Sequence, residues 1–90
     1  MVELATGNRF DDVLALSRAQ RDLPSPRDRR LRREAARVSQ QAVADAVGAS
    51  RESVAKWERG TRRPRGRRLV RYVSLLDVLA AETAARRKPA

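Results

Sequence analysis

The groups in this chain that could do chemistry are nearly all guanidiniums: of its 21 basic side chains, every one but Lys56 and Lys88 is an arginine. Histidine and cysteine are absent. The usual general bases, nucleophiles and transition-metal ligands are therefore missing, as are thiolate-bound zinc and disulfide staples. The 11 carboxylates are scattered among the cations, a poor basis for acid–base catalysis. Neither an enzyme, a metal nor a cofactor is expected. A planar five-donor fork is instead suited to gripping phosphate, and a formal charge of +10 calls for a polyanionic partner. The charge is uneven. Residues 1–23 hold 3 cations and 4 anions (net −1), and residues 24–90 hold 18 and 7 (net +11), so the partner-facing surface belongs to the later part.

Elements must position those arginines. Ninety residues support one modest core. Hydrophobic residues make up 41%, dominated by Ala, Val and Leu, with few glycines and prolines, which predicts an all-α fold. No apolar run reaches the roughly 18 residues of a membrane span, and MVELATGNRF lacks the basic-then-apolar order of a secretory signal. A cytoplasmic, nucleoid-associated location is expected. Phe10, Val13, Leu14 and Leu16 fall near helical spacing, predicting an amphipathic helix over about 8–22 that Leu23-Pro24-Ser25-Pro26 breaks. Ser25 caps an arginine-dense helix over about 26–37, whose apolar stripe is only Leu31, Ala35 and Val38. So thin a stripe speaks against a membrane-surface helix. Ser39 opens a helix over about 39–46 that ends before Gly48, and Ser50 opens another over about 50–58. A loop over 58–68 carries Arg59, Arg62, Arg63, Arg65, Arg67 and Arg68. A last helix starts near Gly66 and passes Leu79, leaving 81–90 as a basic, frayed tail.

Residues 39–60, SQQAVADAVGASRESVAKWERG, carry the most specific pattern. Two short helices crossing steeply over a tight turn need apolar residues at Val43, Val47, Val54 and Trp57, a small one at Ala44 and a glycine at Gly48. All six are in place, which is the spacing of a helix-turn-helix. On these residues, with the RREAARVSQ approach, the WERG end and Pro64, the chain resembles the XRE-type Cro and phage-repressor family over roughly 27–80.

The resemblance implies a five-helix repressor-like domain: an extra N-terminal helix (1–23) outside the match, then the Cro/repressor core over 24–80. It implies base reading by Arg51, Glu52 and Lys56, and phosphate contact by Gln40 and Ser50. It also implies a structural pair, Arg33 with Glu58, linking the first core helix to the end of the recognition helix. Ala55 between the readers departs from many relatives and leaves the base code open. Physical chemistry points the same way. The N-terminal half of a recognition helix meets base edges, where Arg and Lys suit guanine and Glu suits cytosine. Arg59, Arg62, Arg63, Arg65 and Arg67 would follow the sugar-phosphate strand without reading sequence.

Bland roles compete at several positions. Trp57 reads as core rather than a base-stacking group. Tyr72 reads as core or interface, with its hydroxyl finding a partner at the edge. The last helix is more apolar than one core-facing stripe requires: Val70, Leu75 and Val78 cannot share a face with Leu69, Val73, Leu76 and Ala80. Either the helix at 8–22 covers the excess or a homodimer does, the latter suiting double-stranded DNA with two half-sites. The function expected is that of a transcriptional repressor or Cro-like regulator of a phage or mobile element, without a small-molecule ligand. The competing functions are an antitoxin built on the same fold and a nucleic-acid binder indifferent to sequence.

Overall fold

The computed structural model describes residues 2–87, with side chains described from Arg9 onward. Five helices follow in order, α1 (Val2–Asp22), α2 (Pro26–Ala35), α3 (Gln40–Val47), α4 (Arg51–Arg59) and α5 (Gly66–Arg87), with no strand among the described residues. Helices α2, α3 and α4 begin where the sequence places a cap. The hydroxyls of Ser25, Ser39 and Ser50 accept from the backbone N–H three residues on, at 3.2, 3.0 and 3.1 Å. Such a cap contributes about 1 kcal/mol by satisfying an otherwise orphaned donor. Gly48 ends α3 at φ 76°, a left-handed conformation that a glycine adopts without steric cost.

Three boundaries differ from the sequence reading. Helix α1 starts at Val2 rather than near Asn8, because Gly7 costs a helix only about 1 kcal/mol and no proline intervenes. Helix α2 stops at Ala35, and Arg37 (φ 59°) turns the chain so that the Val38 N–H meets the Arg33 carbonyl at 3.2 Å. Helix α5 runs on to Arg87, so residues 81–87, expected as a frayed tail, are helical. Ala81, Glu82, Ala84 and Ala85 are strong helix formers, and Arg86 and Arg87 complement the dipole at its C-terminal end. Residues 88–90 lie outside the described residues.

The main core joins Val43, Ala44 and Val47 of α3 to Val54 and Trp57 of α4 and Tyr72 and Leu76 of α5. Fully burying side chains of this size stabilises by roughly 1.5–3 kcal/mol each. A second cluster, Ala19 with Leu69 and Val73, fixes α1 on α5 and draws in Leu16 and Val70. This answers much of the excess on α5: α1 covers Val70, and Leu75 packs beside the main core. Val78 remains 59% exposed.

Candidate nucleic-acid interface

Helix α4 is buried along Val54, Trp57 and Glu58. By the helical period the opposite face carries Glu52, Lys56 and Arg59, with Ala55 at its edge, whereas Arg51 lies on the Glu58 side and is exposed in the first turn. Arg51, Glu52 and Arg59 are exposed, while Lys56 is half-buried and lies 3.7 Å from the Glu52 carboxylate. Ala55 and Lys56 are half-buried, and among the described residues the one ion pair on this face is that i,i+4 contact, worth about 0.3–0.5 kcal/mol at an exposed site.

The end of α4 is held from α2. Arg33 grips Glu58 bidentately, through Nε to Oε2 and Nη2 to Oε1 at 2.9 Å, and donates through Nη1 to the Val38 carbonyl at 2.9 Å. The Glu58 side chain is only 3% exposed. Its hydrogen bonds, followed by its charge, hold the Arg33 guanidinium above the usual arginine range, against the opposing effect of burial. Arg29, one turn before Arg33, donates to the Trp57 carbonyl at 2.8 Å and to the Pro24 carbonyl at 2.7 Å. Burial lowers its pKa from the ordinary arginine value. The sequence reading gave Arg29 no role of its own within the arginine-dense helix. The available signal was its i,i+4 relation to Arg33, which puts both forks on one face of α2.

Two residues expected at phosphate are engaged within the protein. Gln40 donates an amide N–H to Glu58 Oε1 at 3.0 Å, extending the Arg33–Glu58 network and keeping one N–H free. Ser50 caps α4, and its hydroxyl also bonds that of Ser53 at 3.0 Å, leaving it no hydroxyl proton for a phosphate in this arrangement. Ser53 is instead the serine nearest the loop arginines. Together with Trp57, Arg62, Arg63, Arg65 and Arg68 it lines a cleft of about 230 Å³ between α4 and the loop. Arg68 also donates to the Gly48 carbonyl at 3.0 Å, tying α5 to the turn between α3 and α4. Arg67 sits apart from this cleft, beside Asp12 between α1 and α5.

Trp57 lies in the core, its ring centroid 4.8 Å from that of Tyr72. The Tyr72 hydroxyl does not reach an edge as expected. It is buried with no protein hydrogen-bond partner, because the apolar residues of α3 and α4 pack round it in the main core. Desolvation, with the Glu58 charge nearby, drives the phenol well above its ordinary pKa.

A capped α3, a glycine turn and a capped α4 whose polar face is free form a complete helix-turn-helix unit, and a family model described as Helix-turn-helix matches residues 29–82. The chain belongs to the XRE-type helix-turn-helix family. In this helix-turn-helix protein the match takes in most of α2, all of α3 and α4, and α5 up to Glu82, leaving α1 outside. No curated protein and no solved structure matches the chain. Membership in the helix-turn-helix family makes it a DNA-binding regulator, of a family that is not typically enzymatic. No helix among the described residues is long and apolar enough to cross a membrane.

Proposed function

We propose that the protein binds double-stranded DNA sequence-specifically, as a repressor or Cro-like regulator of a phage or other mobile element, acting in the cytoplasm on the nucleoid. One observation carries this reading: the unencumbered polar face of α4 adjoins an arginine-lined cleft, so a base-reading surface and a phosphate-gripping surface meet along one helix. Arg51 and Lys56 donate to guanine O6 and N7, and Glu52 accepts from cytosine N4. Arg59, Arg62, Arg63 and Arg65 take phosphates, with Arg68 already anchored and Ser53 at the cleft wall. Arg67, which lies outside that cleft, takes a phosphate further along the strand. Gln40 contributes through its free N–H, and Ser50 through its neighbour rather than its own hydroxyl. The operator has two half-sites read by two copies of the chain.

Selection from a randomised duplex library at near-physiological salt tests the proposal. Enrichment of a short inverted repeat, its half-sites about one helical turn apart, is expected. Affinity equal for all sequences and falling steeply with salt would reduce the protein to an electrostatic clamp and overturn the reading.

A further inference from the structure

Helix α4 is fixed at its start independently of its end. The Ser50 hydroxyl accepts from the Ser53 N–H, and Arg68 of α5 grips the Gly48 carbonyl in the turn just before the helix. At the far end two guanidiniums of α2 reach across. Arg33 holds the Glu58 carboxylate, and Arg29 holds the Trp57 carbonyl. The two links differ in kind. The first passes through the Glu58 side chain, whose torsions let the backbone turn about it, while the second ends on the helix backbone itself. One link holds a point, and two hold an axis.

Arg29 is only 5% exposed, and a buried guanidinium is costly unless its donors are used. Its Nη1 donates to the Trp57 carbonyl at 2.8 Å and its Nε to the Pro24 carbonyl at 2.7 Å, so the fork clamps main chain to main chain. Pro24 belongs to the corner between α1 and α2, and its neighbour Leu23 packs against both core clusters. The corner is thus seated on both halves of the core. Gly60, which closes α4, comes so near the start of α2 that a Cβ on it would lie 3.0 Å from Pro26 Cγ. The end of α4, the corner and the start of α2 therefore meet around Arg29.

We propose that Arg29 is a positioning residue for base reading: by clamping the end of α4 to the α1–α2 corner, it sets the angle at which Lys56 meets a base edge. The inference rests on the base-reading role proposed for α4. Lys56 immediately precedes the clamped Trp57, whereas Arg51 sits at the fixed start, roughly 7.5 Å away along the axis at 1.5 Å per residue. With its end released, α4 swings about its start, so Lys56 and Arg59 shift while Arg51 scarcely moves. Loss of Arg29 therefore erodes base reading unequally along one helix, which a general loss of stability does not do.

The test is Arg29→Met in the full chain, which keeps an unbranched stem and removes the donors, with two measurements well below the melting temperature. The first is amide hydrogen exchange without DNA. The Gly60 and Thr61 N–H groups bond the Trp57 and Lys56 carbonyls at 3.3 and 3.1 Å, and the Val54 N–H bonds the Ser50 carbonyl at the other end. Exchange at Gly60 and Thr61 should quicken at least about tenfold relative to Val54. The second is selection from randomised duplexes. The base position marked by Lys56→Ala should lose its preference, and the one marked by Arg51→Ala should keep it. Arg29→Lys, whose ammonium can reach one carbonyl, should recover part of both effects. Val73→Ala weakens the second cluster away from α4, and should leave the exchange ratio and both preferences as in the wild type. An unchanged exchange ratio in Arg29→Met would overturn the proposal whatever the protein binds. So would equal loss at the two base positions, or loss at neither. A wild type that selects no motif overturns the base-reading role and this inference together, and the exchange ratio separates that failure from a clamp that does not hold.

Discussion

Replacing Glu58 with alanine should cost this protein a large share of its stability. Glu58 is 8% exposed overall and accepts from both Arg33 and Gln40. Its removal leaves the Arg33 guanidinium, whose side chain is 13% exposed, without its anion and in contact with few other acceptors. Breaking one partner of a buried pair costs about 3–5 kcal/mol. A domain of this length holds about 5–13 kcal/mol in total. At about 4–8 °C per kcal/mol for a small domain, the melting temperature should fall by at least about 12 °C. Trp57, the single tryptophan, is adjacent in sequence and reports unfolding directly by fluorescence in urea or on heating. The double variant Arg33→Met, Glu58→Met separates pairing from mere packing. Removing both charges should recover most of the loss, because the cost lies in the orphaned charge rather than in the missing attraction. A Glu58→Ala loss below about 1 kcal/mol, or a double variant as damaged as the single ones, would refute the reasoning.

Arg51→Ala should relax preference at one base position and cost about 1–3 kcal/mol, whereas Arg63→Ala should weaken all duplexes alike and lower the salt slope by about 1. Uniform loss from both, in affinity measured against several sequences, would remove Arg51 from the readers. Tyr72 is the only tyrosine, so absorbance of the phenolate during alkaline titration reports it alone. Because its folded pKa lies above the unfolded value of about 10, the folded protein should show almost no phenolate at pH 10. Stability from this group is then complete below about pH 10 and declines as pH rises beyond it, a decline that Tyr72→Phe should lessen. Ordinary titration near 10 in the folded protein would contradict the burial. Gly60→Ala should destabilise more than the roughly 1 kcal/mol expected for Gly48→Ala: both have positive φ, but a Cβ at Gly60 would meet Pro26 Cγ at 3.0 Å and one at Gly48 meets only the tip of Arg71 at 3.4 Å. Comparative denaturation reads the difference.

The helices were legible because their signals are local. Ser25, Ser39, Ser50 and Gly48 act within one turn of their own position, and the Val43, Val47, Val54 and Trp57 pattern needs only helical periodicity. The pairing of Arg33 with Glu58 was legible only through family resemblance, since 25 residues separate them. What escaped depends on how helices approach one another. Arg29 looks like any other cation in a run of them until the end of α4 brings the Trp57 carbonyl to it. Ser50 and Gln40 have phosphate-binding chemistry but also nearer partners, and an intramolecular partner is always at hand. The Tyr72 hydroxyl was expected at an edge that the other helices in fact close. The reach of α5 to Arg87 was hidden by charge, which reads as fraying although alanines precede it.

The division of labour along α4 has an evolutionary corollary. Everything that fastens the helix (its Ser50 cap, the Val54 and Trp57 anchors, and the forks of Arg29 and Arg33 on its last turn) lies at its rear or its ends. Arg51 and Glu52 are exposed and Ala55 and Lys56 only half-buried, so on the proposed base-reading role a lineage can rewrite these positions to follow a drifting target at little cost to the fold. The scaffold is thus open to retargeting: a library varied at those four positions should yield proteins of divergent sequence taste and nearly constant melting temperature.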